Sequence, residues 1–121
     1  MEIFKEFNIE AARRLPNLPE GHKCGRLHGH SFRIVIYVRG ELDARTGWVA
    51  DFACIAAAFE PIFEQLDHAY LNEIDGLENP STENLAHWIW SKLKPTLNSL
   101  SKVVVWETNT AGCVYEGSDS V

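Results

Sequence analysis

Cysteine is scarce and unpatterned: Cys24, Cys54 and Cys113 make an odd count, and no two form a C-x-x-C pair. Such usage excludes a disulfide framework and predicts reduced thiols in a cytoplasmic protein. No apolar run approaches the roughly 18 residues that a bilayer span requires. Met1–Glu6 has no charged segment leading into an apolar stretch, so a secretory signal is not expected either. Positive charge is short as well, with 11 Lys and Arg against 17 Asp and Glu, a net charge of −6. That balance argues against nucleic acid or an anionic membrane as partner, while a locally basic pocket for a small anion stays open. Repeats, low-complexity tracts and linkers are absent. What is present is an ordinary globular composition, 45% apolar and 23% charged over 121 residues. It predicts a single domain over 1–121, able to bury a core without disulfides or structural metal.

Two strand patterns come first. Ile3, Phe7, Ile9 and Ala11 alternate onto one face between about Ile3 and Arg13, and Phe32, Ile34, Ile36 and Val38 do so between about His30 and Leu42. Between them lies a segment broken by Pro16, Pro19, Gly21, Gly25 and Gly29, long enough in so small a chain to suggest a working loop. Asp51 reads as the N-cap of a helix carrying Phe52, Ile55, Phe59, Ile62, Phe63 and Leu66, with Pro61 expected to kink or shorten it. After a polar connection over Asp67–Glu78, a second helix is expected from Ser81 or Thr82, ended or bent by Pro95. Val103–Trp106 and Ala111–Glu116 complete the order as strands. Strands and helices segregate instead of alternating, which predicts an α+β fold: a four-stranded antiparallel sheet with two helices on one face. Two exposed sheet edges favour pairing between subunits.

The densest polar cluster is His22–His30. His28 and His30 stand two apart, so on a strand both imidazoles point to one side and can reach one ion, or they are two solvated loop histidines. Cys24 is a further ligand, a nucleophile or base, or an inert thiol; its setting between Lys23 and Arg26 favours the reactive reading. Cys54, within the apolar helix, is expected in the core, and Cys113 is expected to be structural. Asp67 beside His68 is either an oriented proton-transfer pair or a histidine stabilised at a helix C-terminus. Glu107 shares strand parity with Val103 and Val105, so its carboxylate points from a core-facing row and requires a partner with paired donors. Trp88 and Trp90 read as packing residues.

Four segments in this order, Cys24–His30, Asp67–Asn72, Glu78–Glu83 and Glu107–Thr108 with Ala111–Tyr115, resemble the family of 6-pyruvoyl- and 6-carboxytetrahydropterin synthases. The resemblance covers about Ile3 to Gly117. The C-x-x-x-H-x-H spacing from Cys24 to His30 resembles the queuosine (7-deazaguanine) branch. That branch consists of lyases that turn 7,8-dihydroneopterin triphosphate into 6-carboxy-5,6,7,8-tetrahydropterin, acetaldehyde and triphosphate. The resemblance implies a tunnelling fold, with sheets of three subunits closed into a barrel and two trimers stacked as a hexamer. It further implies active sites between subunits, a dihydropterin triphosphate substrate and Zn2+ bound by three histidines. His28 and His30 match two zinc ligands, Cys24 the catalytic cysteine, Asp67 and His68 the proton-transfer pair, and Glu107 the acid that anchors the pterin.

One position departs. The family's first zinc histidine falls on Arg13, whose guanidinium has no lone pair to give. Zinc is therefore expected to be weakly held or absent. Two alternatives follow: a pterin-binding protein with impaired catalysis, or a synthase of the pyruvoyl product. Lys23, Arg26 and Arg14 are the nearby candidates for a triphosphate.

Overall fold

The alternation in the first third of the chain produces its longest elements. In the computed structural model, which describes residues 1–117, β1 (Glu2–Arg13) and β2 (His28–Arg39) pair antiparallel along their whole lengths, from Glu2 opposite Arg39 to Arg13 opposite His28. The expected extent of one domain over 1–121 runs into residues 118–121, which lie outside the described residues. β4 (Leu100–Trp106) pairs antiparallel with β2, and β5 (Gly112–Tyr115) with β4. α1 (Phe52–Leu66) packs on β1, and α2 (Thr82–Leu93) packs on β4 and β5.

The sheet corrects the expectation of four antiparallel strands. It has five, in the order β3-β1-β2-β4-β5, and β3 (Ala69–Tyr70) runs parallel to β1. Two residues carry no period, so the sequence offers no signal for this strand. It forms because the chain leaving α1 is tied to β1: the His68 N–H donates to the Glu10 carbonyl at 2.6 Å. The connection expected to be polar also sends Leu71 and Leu77 fully into the core.

Both helices start as their caps dictate, with Asp51 accepting from the Ala53 N–H and Ser81 from the Asn84 N–H. α2 ends at Leu93, before Pro95. α1 continues through Pro61 to Leu66 instead of ending there. Cys54 is exposed, contrary to expectation. The buried stripe of α1 is Ile55, Phe59, Ile62 and Leu66, and a residue one step away lies about 100° around the helix.

Apolar side chains from one face of the sheet (Ile9, Phe32, Ile34, Ile36, Val103 and Val105) meet both helices in one core. A Cβ on Gly112 would stand 2.4 Å from the Val105 carbonyl oxygen, a backbone atom that cannot step aside. Gly112→Ala is expected to cost about 1–3 kcal/mol, the usual range for overpacking, as read by urea unfolding.

Candidate active site

The apolar rows of the sheet become polar at one end. On β1 the buried positions run Ile9, Ala11, Arg13. Opposite them, β2 presents Phe32, His30 and His28 in register. Arg13 is thus a guanidinium in a core row, with 2% of its side chain exposed. Four of its five N–H groups have partners. Nε–H points at His28 Nε2 at 3.5 Å, Nη1 donates to the Pro80 carbonyl at 3.2 Å and to Thr82 Oγ1 at 3.1 Å, and Nη2 pairs with Glu107 Oε1. The cation also lies over the Phe32 ring, 5.2 Å from its centre.

Glu107 follows β4 immediately, on the parity of Val103 and Val105, and it finds the paired donors its position requires. The Thr82 hydroxyl donates to the same Oε1 at 2.6 Å while accepting from Arg13. Burial alone would raise the Glu107 carboxyl, but the hydrogen bonds from Thr82 and Arg13 and the Arg13 charge outweigh it and hold it below its ordinary value. With 31% of its side chain exposed, Glu107 also lines a depression of about 230 Å³ with Thr82, Glu83, Ala111, Gly112 and Cys113. Cys113 is half-buried there, its Sγ 3.5 Å from the Thr82 carbonyl, and burial pushes its thiol upward.

Asp67 and His68 form an oriented pair. Asp67 Oδ1 accepts from the Glu10 backbone N–H at 2.9 Å, and Oδ2 lies 2.8 Å from His68 Nδ1. The Glu10 hydrogen bond first, and His68 second, hold the Asp67 carboxyl below its ordinary value. With Nδ1–H donating to Asp67, Nε2 of His68 is turned outward as a proton acceptor, on a side chain 79% exposed. His68 has φ 59°, the one non-glycine residue with positive φ among those described. A backbone held in this region by its surroundings is a feature of functional sites. Glycine carries no Cβ penalty there, so His68→Gly is expected to be about 1 kcal/mol more stable than His68→Ala, measured by denaturant unfolding of the two variants.

His68 lines a groove of about 550 Å³ with Glu10, Gly29, His30, Ser31 and Tyr70. His30 lines this groove and feels both Arg13 and Glu107. Burial first, and then the Arg13 charge, lower its imidazole below the ordinary value. Cys24 lies apart, half-buried in a short 3-10 turn (Lys23–Gly25), tied to the end of β1 by the Leu15 N–H donating to the Cys24 carbonyl at 2.9 Å. Arg14 and Arg26 line a third depression together. A single chain therefore brings Arg13, His28, His30 and Glu107 together, while Cys24 lines neither the groove of His68 nor the depression of Glu107.

Sequence reasoning missed Thr82 as a participant, and it singled out Arg13 without its pairing to Glu107. Thr82 lies in the quoted Glu78–Glu83 segment, yet its hydroxyl acquires a role only through contacts across 69 and 25 positions of sequence. Arg13 as the partner of Glu107 was readable in principle, since it continues the parity of Ile9 and Ala11.

The residues present do not fit the three-histidine zinc centre that the resemblance implies. Among the described residues no group of three His, Cys, Asp or Glu is placed to hold a metal. His28 and His30 are close, with ring centres 5.1 Å apart, but the third corner is a guanidinium.

Comparison with known proteins agrees with this architecture. The profile of the family described as 6-pyruvoyl tetrahydropterin synthase matches residues 2–118. The chain is 44% identical over 119 residues to a 6-carboxy-5,6,7,8-tetrahydropterin synthase of Synechocystis sp., covering 93% of this chain and 91% of that protein. It is 36% identical over 136 residues to the 6-pyruvoyl tetrahydrobiopterin synthase of Homo sapiens, covering 96% and 91%. The solved structure of Caenorhabditis elegans 6-pyruvoyl tetrahydropterin synthase superposes with a TM-score of 0.90 at 26% identity, covering 98% of this chain and 96% of that one.

Proposed function

Because the chain belongs to the 6-pyruvoyl tetrahydropterin synthase family, we propose that it is a lyase of dihydropterins acting in queuosine (7-deazaguanine) biosynthesis. Its reaction takes 7,8-dihydroneopterin triphosphate and water to 6-carboxy-5,6,7,8-tetrahydropterin, acetaldehyde and triphosphate. The observation that carries this reading is the Asp67–His68 pair, braced on Glu10 of β1 with its outer nitrogen facing a groove.

The steps assigned to this chain's residues are proton transfers and positioning. Cys24, as thiolate, takes a proton from the substrate side chain. His68 accepts a second proton at Nε2 while Asp67 stabilises the imidazolium that forms. Glu107 accepts from the guanidine-like edge of the pterin through the oxygen not bound to Arg13, which fixes the ring's register. Arg14 and Arg26 are the candidates for the triphosphate. The separation of these groups on one chain supports active sites shared between subunits, in trimers closed through the outer edge of β5 and the length of β1 that the two-residue β3 leaves uncovered, and stacked as hexamers. All three cysteines are free, and no described helix is long and apolar enough to cross a membrane, which supports a single-domain enzyme of the cytoplasm.

The position of Arg13 favours one second reading, a pterin-binding protein that has lost efficient turnover. Purified protein incubated with 7,8-dihydroneopterin triphosphate decides between them. The lyase releases acetaldehyde with the carboxy product, and a pyruvoyl-forming synthase is separated by the product's mass. Pterin bound without any product supports the second reading and sinks the first.

A further inference from the structure

We propose that this centre is metal-independent, with the Arg13 guanidinium permanently occupying the metal position and serving as the positioning residue for Glu107. The inference rests on the pterin reading above only for the identity of the ligand that Glu107 receives. His28 Nδ1 lies 2.7 Å from the Arg26 carbonyl oxygen, so Nδ1 carries the hydrogen and Nε2 the lone pair. That lone pair faces Arg13 Nε–H at 3.5 Å. The electron pair that His28 would give to a metal is thus directed at a fixed cation, and a divalent ion beside it would meet like charge.

Arg13 is also built in from every other side. The Pro80 carbonyl, Thr82 Oγ1 and Glu107 Oε1 accept from its remaining nitrogens, and its charge is balanced by Glu107. The Arg13–Glu107–Thr82 cluster is therefore closed in charge and hydrogen bonding without an ion. Both Arg13 and Thr82 donate to Oε1 of Glu107, which leaves Oε2 for an N–H donor of the ligand. A planar fork anchored at four points fixes the carboxylate more tightly than a flexible ammonium can.

The test uses the full chain as purified. Zinc content after dialysis, and absorption during Co2+ titration, are read for the unchanged protein and for Arg13→His. The unchanged protein is expected to hold no stoichiometric zinc and to develop no tetrahedral Co2+ spectrum, and its binding of a dihydropterin is expected to survive chelator treatment. Arg13→His is expected to gain about one tightly held ion per chain, as a three-histidine centre does. Arg13→Lys is expected to remain metal-free and to bind pterin about tenfold more weakly, with fold content unchanged by circular dichroism, because it keeps the charge but loses the fork. Tightly bound zinc in the unchanged protein, or loss of pterin binding to a chelator, overturns the metal-independent centre even if Arg13→His fails to fold. Unaltered pterin affinity in Arg13→Lys overturns the positioning role. Absence of turnover with the metal results as expected sinks the lyase reading alone.

Discussion

Glu107→Ala is expected to destabilise the fold by about 2–4 kcal/mol and to abolish pterin binding. The substitution removes the one carboxylate paired with Arg13 among the described residues, and the Arg13 side chain is 2% exposed. Breaking a fully buried ion pair from one side costs about 3–5 kcal/mol, because the remaining charge is stranded away from water. The lower range applies here since Glu107 keeps 31% of its side chain in solvent. A double variant, Arg13→Met with Glu107→Leu, is expected to lose less stability than Glu107→Ala alone, since no charge is then stranded. Urea unfolding of the three proteins checks this, and equal or larger loss in the double variant contradicts it. The same pair makes stability pH-dependent. The folded carboxyl of Glu107 sits below its ordinary value of 4.5, so its contribution is complete above that value. It is lost as the pH falls below 4.5 through the lower folded value, and Glu107→Gln is expected to flatten this acid limb.

Cys24→Ala is expected to lower kcat by about 10²–10⁴, the range for removing a positioned acid or base, while pterin affinity and stability barely move. Cys24 is half-buried in a three-residue turn with no fully buried residue and lies outside the hydrophobic core, so its removal leaves the core packing intact. His68→Ala is expected to produce a loss of similar size. The two variants combined are expected to lose far less than the product of the single losses, because groups acting on one proton-transfer sequence fail as a unit. Steady-state kinetics with acetaldehyde release as readout measures this. Full multiplicativity would place Cys24 and His68 on separate tasks. On the proposed function, the contrast with Glu107→Ala is expected to separate two roles, Glu107 holding the ligand and the fold and Cys24 moving a proton.

The residues differ in how far they were legible. Period-two alternation announced β1 and β2 because one face of each runs toward the core along twelve residues, while on the opposite faces Val35 of β2 is the one buried residue. The caps Asp51 and Ser81 were readable because a cap acts on an N–H two or three residues away. Parity likewise placed Glu107 on the core side and stated its need for donors. Cys54 was misplaced because an apolar neighbourhood does not fix the angle around a helix. β3 was invisible because its cause is a hydrogen bond to Glu10, 58 positions away in sequence.

The sequence by itself determined the α+β plan, the core rows and the family, since these follow from local periodicity and ordered motifs. It also determined that position 13 carries a group with no lone pair. What that group does was decided only by the tertiary structure. Pairing β1 with β2 sets Arg13 against His28, and packing α2 on β4 brings Thr82 to Glu107. A buried guanidinium must find acceptors wherever the fold supplies them, and here they come from residues 15 to 94 positions away. Charge, burial and hydrogen bonding at that point are properties of the assembled sheet and helices, which no window of sequence contains.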